Sequence, residues 1–143
     1  MIEESMIREK FIKGYDCSQV VLSYFAERLG ITEEMANKVS ACFGGGMMHG
    51  DTCGAFTGAI MAGLKYGHWD VNTLLRQKEE MMNKYAEFRT LFLEKFATNS
   101  CKELLGYDVS LPEQFEEALS SGRMLDFCPK VVESVIEMLE EIL

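Results

Sequence analysis

From Asp70 to Ala97 the chain reads DVNTLLRQKEEMMNKYAEFRTLFLEKFA. Val71, Leu74, Leu75, Met81, Met82, Tyr85, Phe88, Phe92 and Phe96 recur at helical spacing, and no glycine or proline interrupts them. The spacing predicts one helix over about residues 71–97, opened by Asp70. At 1.5 Å per residue it reaches roughly 40 Å, long enough to be the spine of a bundle.

The flanking sequence carries the same period. Toward the N-terminus, Ile2, Met6, Ile7 and Phe11 mark a short amphipathic helix closed by Gly14. Asp16 with Gln19 forms a capping box ahead of Val20, Val21, Tyr24, Phe25 and Leu29. Thr32 caps a third helix, on which Met35, Val39, Cys42 and Phe43 share an apolar face. A helix over about 53–66 takes Asp51 or Thr52 as its cap, and Gly54, Gly58 and Ala62 leave one side of it nearly bare. Toward the C-terminus, Ser100 with Glu103 forms another capping box before a short helix ended by Gly106. Pro112 opens the next helix, and Cys128-Pro129 opens the last, with proline at the first helical position. Val131, Val132, Val135, Ile136, Leu139 and Ile142 give that last helix a buried stripe. Strand patterning, repeats and linkers are absent. The expected fold is all-α, a single-domain bundle over residues 1–143, of about six to eight helices with one long central helix.

Composition narrows the function. The 143 residues are 48% hydrophobic, enough for one sizeable core. The formal net charge is −9, with no lysine- or arginine-rich stretch, which argues against nucleic acid as a partner. No apolar run approaches the roughly 18 residues that membrane insertion requires. Glu3 and Glu4 stand where a signal peptide would carry positive charge, so a cytoplasmic location is expected. Ten methionines fall mostly in helical stripes, Met6, Met35, Met61, Met81, Met82 and Met138 among them, and are expected to fill core.

Five cysteines in a reducing compartment point to catalytic or metal-binding use rather than structural disulfides. Four stand at predicted helix starts: Cys17 after Asp16, Cys53 after Thr52, Cys101 after Ser100, and Cys128 before Pro129. Free N–H groups and the helix dipole favour thiolate there. Cys42 lies on an apolar face and reads as core. No C-x-x-C pair occurs, and the four are 36, 48 and 27 residues apart, so only the fold can gather them. Before Cys53 runs Gly44-Gly45-Gly46-Met47-Met48-His49-Gly50, too glycine-rich for a stable helix.

Gly14-Tyr15-Asp16-Cys17-Ser18-Gln19, Phe43-Gly44-Gly45-Gly46-Met47 and Cys53-Gly54-Ala55-Phe56-Thr57-Gly58 resemble the C-GCAxxG-C-C family. Cys101-Lys102-Glu103-Leu104-Leu105-Gly106 and Cys128-Pro129-Lys130-Val131-Val132-Glu133 continue the resemblance in the same order. It implies a redox-active protein with four characteristic cysteines, here Cys17, Cys53, Cys101 and Cys128. Cys42 matches no required position.

Three functions stay open at this point. In the first, Cys53 is the attacking thiolate, exposed by its flexible loop, and Cys17, Cys101 and Cys128 are resolving partners in thiol/disulfide or electron-transfer chemistry with an unidentified redox partner. In the second, the same four cysteines ligate an iron–sulfur cluster or zinc. In the third, the chain is a helical interaction module with no cofactor. Gly54 and Gly58, which clear space around the Cys53 sulfur, are candidates for contact with any cofactor. A homodimer is compatible with each reading.

Overall fold

Side-chain and backbone chemistry at the helix starts decides much of the architecture. In a computed structural model the chain is described over residues 2–143, so Met1 lies outside it. Nine α-helices and no strand form among the described residues: α1 (Glu4–Ile12), α2 (Cys17–Tyr24), α3 (Ala26–Leu29), α4 (Glu33–Ser40), α5 (Gly54–Met61), α6 (Leu74–Phe96), α7 (Cys101–Leu105), α8 (Pro112–Ser120) and α9 (Arg123–Ile142). The Asp16–Gln19 capping box forms as expected. Thr32 caps α4, its hydroxyl accepting the Met35 N–H at 3.0 Å. Pro112 takes the first position of α8.

Four boundaries differ from expectation. Asp70 does not open the long helix; its carboxylate accepts the Asn72 N–H in a turn, and α6 begins at Leu74. Ser100 makes no side-chain cap. Thr98 organises that corner instead, donating to Glu103 at 2.6 Å and accepting the Ser100 N–H at 3.2 Å. Neither Asp51 nor Thr52 caps α5, because Cys53 itself is the capping residue. The last helix begins at Arg123, five residues before Cys128, with Gly122 ahead of it at φ 82°.

Pro129 therefore lies inside α9 and leaves the Leu125 carbonyl without its helical donor. Arg8 of α1 supplies one: its Nε donates to Leu125 O at 3.0 Å, while its guanidinium pairs with Glu4 at 2.6 Å. A proline penalty within one helix is thus met by a side chain from another.

One continuous core joins α1, α2, α5, α6 and α9. It includes Ile7, Val20, Val21, Leu22, Phe25, Val132, Val135 and Ile136, all at least 98% buried. Phe56 of α5 packs against Phe88 and Phe92 of α6, tilted to the first and edge-on to the second, with ring centroids 5.2 and 5.1 Å away. Only Phe88 and Phe92 of α6 are fully buried, both in its C-terminal half. The apolar stripe expected on α4 faces outward. Met35 and Val39 are each 50% exposed, and Cys42 is exposed beyond the helix end. The buried face is Ala36 and Ser40, small enough to let α4 close on α2. There Ser18 Oγ donates to the Ser40 carbonyl at 2.8 Å, and Ser40 Oγ to Ala36 O at 2.7 Å. Met6 and Met82 are also exposed, whereas Met61 and Met138 pack against the core.

Candidate functional site

Cys17, Cys53, Cys101 and Cys128 line one cavity of about 500 Å³. Cys42 is not part of it. All five thiols are free.

Three backbone devices assemble the cluster. The first is the crossing of α2 on α5. Gly58 has the Ser18 carbonyl and the Val21 side chain where a Cβ would stand, at 2.9 and 3.0 Å, so the two helices meet almost backbone to backbone. One turn earlier, a Cβ on Gly54 would overlap Cys17 Sγ and approach the Phe43 carbonyl at 2.9 Å. Gly54 therefore makes room for the Cys17 sulfur, and Gly58 serves helix packing away from the cavity. The second device is a short antiparallel bridge between Thr52 and Ser100. The Cys53 N–H donates to Asn99 O and the Cys101 N–H to Asp51 O, both at 2.6 Å, which fixes the starts of α5 and α7 against each other. The third is Arg123, which donates to the Leu104 and Leu105 carbonyls at 3.0 and 3.1 Å. It satisfies the end of α7 and holds it against the first turn of α9, bringing Cys101 toward Cys128.

The glycine-rich stretch winds backwards. Gly45, Gly46, Met47 and Met48 have φ of 62°, 66°, 61° and 56°, a left-handed turn closed by Asp51 N–H donating to Gly46 O at 3.0 Å. Such a turn costs an ordinary residue roughly 1–2 kcal/mol, so Met47 and Met48 are held there by their surroundings. Gly46 shows the constraint: a Cβ would sit 2.8 Å from Cys101 Cβ and 2.7 Å from Asp51 O. The loop does not expose Cys53 as expected. That residue is 9% exposed, the most enclosed of the four.

Burial also reverses the expected effect of the helix starts on three thiols. The Cys17 thiol is held well above its ordinary range, first by a hydrogen bond with Cys53, then by burial and by the neighbouring Cys53 and Asp16 charges. An N–H from Gly45 opposes this. Burial pushes Cys101 up to about 12, with Cys17 and Asp108 adding to it. Burial likewise raises Cys128, reinforced by Cys17 and Cys101 and opposed by Arg123. Desolvation disfavours the charged form, and here it exceeds what the helix termini supply. Cys17 is the hub, interacting with each of the other three.

Residues 15–142 match the family described as "Putative redox-active protein (C_GCAxxG_C_C)". The chain belongs to this family. No curated protein and no solved structure matches it. For this C_GCAxxG_C_C protein the matched span contains all four clustered cysteines. No helix among the described residues is long and apolar enough to cross a membrane.

Soft thiolate donors suit zinc or an iron–sulfur cluster, but among the described residues no three His, Cys, Asp or Glu side chains are arranged to hold a metal ion. Three participants were not foreseen from sequence. Among the described residues Asp16 is the one charged side chain on the cavity wall, and burial raises its carboxyl above the usual range. Asp108, bonded to Ser110, fills the space beside Gly50 and bears on Cys101. Tyr15 lines the cavity mouth. Asp16 and Tyr15 adjoin Cys17 in sequence, which is a usable signal; Asp108 has none.

Proposed function

We propose that this protein is a redox-active thiol protein in which Cys17 and Cys53 cycle between dithiol and disulfide. The observation that carries it is the placement of the two thiols where α2 meets the start of α5: Cys17 Sγ lies against Gly54, the residue next to Cys53, and both cysteines line one cavity. On oxidation two S–H bonds break and one S–S bond forms, while two electrons and two protons pass to an external acceptor. Cys101 and Cys128 line the same cavity and serve as resolving thiols. Attack of the Cys101 sulfur on Cys17, with its proton passing to the departing Cys53 sulfur, would form a Cys101–Cys17 disulfide and release Cys53 as a thiol.

The test is disulfide mapping by mass spectrometry after oxidation at controlled potential. The expected product is a Cys17–Cys53 bridge, lost in Cys17→Ser, with Cys42 alkylated throughout. Recovery of four free thiols on Cys17, Cys53, Cys101 and Cys128 under those conditions would overturn the reading.

A second reading, a four-thiolate iron–sulfur or zinc centre, is favoured by the placement of the same four cysteines around one cavity. It requires their side chains to reorient. Metal analysis and a visible spectrum of anaerobically purified protein decide between the two.

A further inference from the structure

The thiol cavity is far larger than four sulfurs need. Its volume of about 500 Å³ falls in the range of small-molecule sites, roughly 300–1,000 Å³. Beyond the cysteines its wall is apolar, with Leu104, Leu119 and Met124 from α7, α8 and α9. Four aromatic rings face it: Phe11, Tyr15, Phe115 and Phe127. Among the described residues no lysine, arginine or histidine lines it, and Asp16 is its one charged side chain. An anionic oxidant, such as a phosphorylated cofactor or a glutathione disulfide, would find no counter-charge there and would face a carboxylate. An uncharged, flat, largely apolar molecule fits the wall, since rings stack on aromatic side chains and carbonyl oxygens accept hydrogen bonds from thiols.

We propose that the cavity binds a quinone as the electron acceptor of the Cys17–Cys53 dithiol. The inference rests on the thiol-redox reading and names the substrate class of that site. In the step, Cys17 and Cys53 lose two S–H bonds and gain one S–S bond. The quinone takes the two electrons and two protons, its two carbonyls becoming the hydroxyls of a hydroquinone. The Cys17 thiol, held protonated by its neighbour Cys53 and by burial, suits such an acceptor, because protons and electrons leave together.

The probe is tetramethyl-1,4-benzoquinone, whose fully substituted ring blocks addition of thiols to ring carbon. It is mixed anaerobically with fully reduced full-length protein. The expected result is one hydroquinone formed and two thiols lost per chain, at a rate that saturates with quinone. Phe115 is 44% exposed at the cavity edge, so a polar replacement there meets solvent. Phe115→Glu should raise the half-saturating concentration about tenfold or more, because it sets a charge against an apolar ligand. Phe115→Leu, which keeps the wall apolar but loses a ring, should raise it less than Phe115→Glu does, and circular dichroism reports the helical content of both. Diamide, a small uncharged oxidant, is run in parallel on the unsubstituted protein. If diamide forms the Cys17–Cys53 disulfide but the quinone rate rises linearly and ignores Phe115→Glu, the quinone site is overturned and the thiol chemistry stands. If neither oxidant produces the disulfide, the thiol-redox reading falls and the inference with it.

Discussion

Helices α5 and α6 begin in opposite circumstances. The start of α5 is enclosed: Cys53 is pinned by its N–H to Asn99, and Gly54 lies against Cys17 Sγ. The start of α6 stands in solvent, where Trp69 is 81% and Leu75 85% exposed, and its first buried residue is Phe88, fourteen positions into the helix. Yet the α6 segment has the longer and cleaner helical period, and the α5 segment is interrupted by glycine. Periodicity reports that a helix will form; it does not report which end is held. Close packing comes from the absence of side chains, and that is what the glycines around Cys53 provide.

The contrast can be broken first at Gly54. Gly54→Val should cost about 3 kcal/mol or more in urea unfolding and separate Cys17 from Cys53, since the new atoms meet a sulfur and a backbone carbonyl. A loss below 1 kcal/mol would mean that the enclosed end is loose.

Alkaline pH probes the same enclosure. Cys101 rises from an ordinary 9.0 to about 12 in the folded protein, so the unfolded chain loses that proton first. The stability is complete below about pH 9 and declines as pH climbs toward about 12. Denaturant melts across that window should show the decline, and Cys101→Ser should make it shallower, leaving the part that Cys17 and Cys128 contribute.

Arg8→Ala removes the donor to Leu125 O and should cost about 1–2 kcal/mol, because a partly buried carbonyl then has no partner. Arg8→Lys should recover only part of this, one ammonium replacing two separate guanidinium contacts. Met47→Gly relieves one left-handed residue and should raise stability by up to about 1 kcal/mol. An unchanged midpoint would show that the turn stores no strain there. At the open end, Leu75→Glu should move stability by no more than about 0.5 kcal/mol. A larger loss would mean that this end of α6 is covered in solution.

Much of the architecture was readable before any coordinates. The stripe Val131, Val132, Val135, Ile136 is buried, the Asp16–Gln19 box forms, and Cys17, Cys53, Cys101 and Cys128 line one cavity while Cys42 stays outside. The failures have identifiable physical causes. Pro129 was placed at a helix start because proline favours that position, but the period runs through it from Met124 to Val131, and the compensating donor, Arg8, is over a hundred residues away in sequence. Met35 and Val39 had the right spacing but the wrong face, since α4 closes on α2 through Ala36 and Ser40. Cys17, Cys101 and Cys128 are expected from sequence to ionise readily, but the enclosure around them removes the water that would allow it. Local patterns say where a group sits on its helix, and desolvation depends on what the fold sets around it.

The family match begins at residue 15, so every clustered cysteine lies inside it, whereas Phe11 and Ile12, which wall the cavity, belong to α1 and lie outside. Part of the wall thus has its own address along the chain, apart from the thiols. Exchanging the segment before residue 15 for one with a different apolar face would reshape the vessel and leave every sulfur in place. Evolution, or an engineer, can change what enters this cavity without touching a thiol.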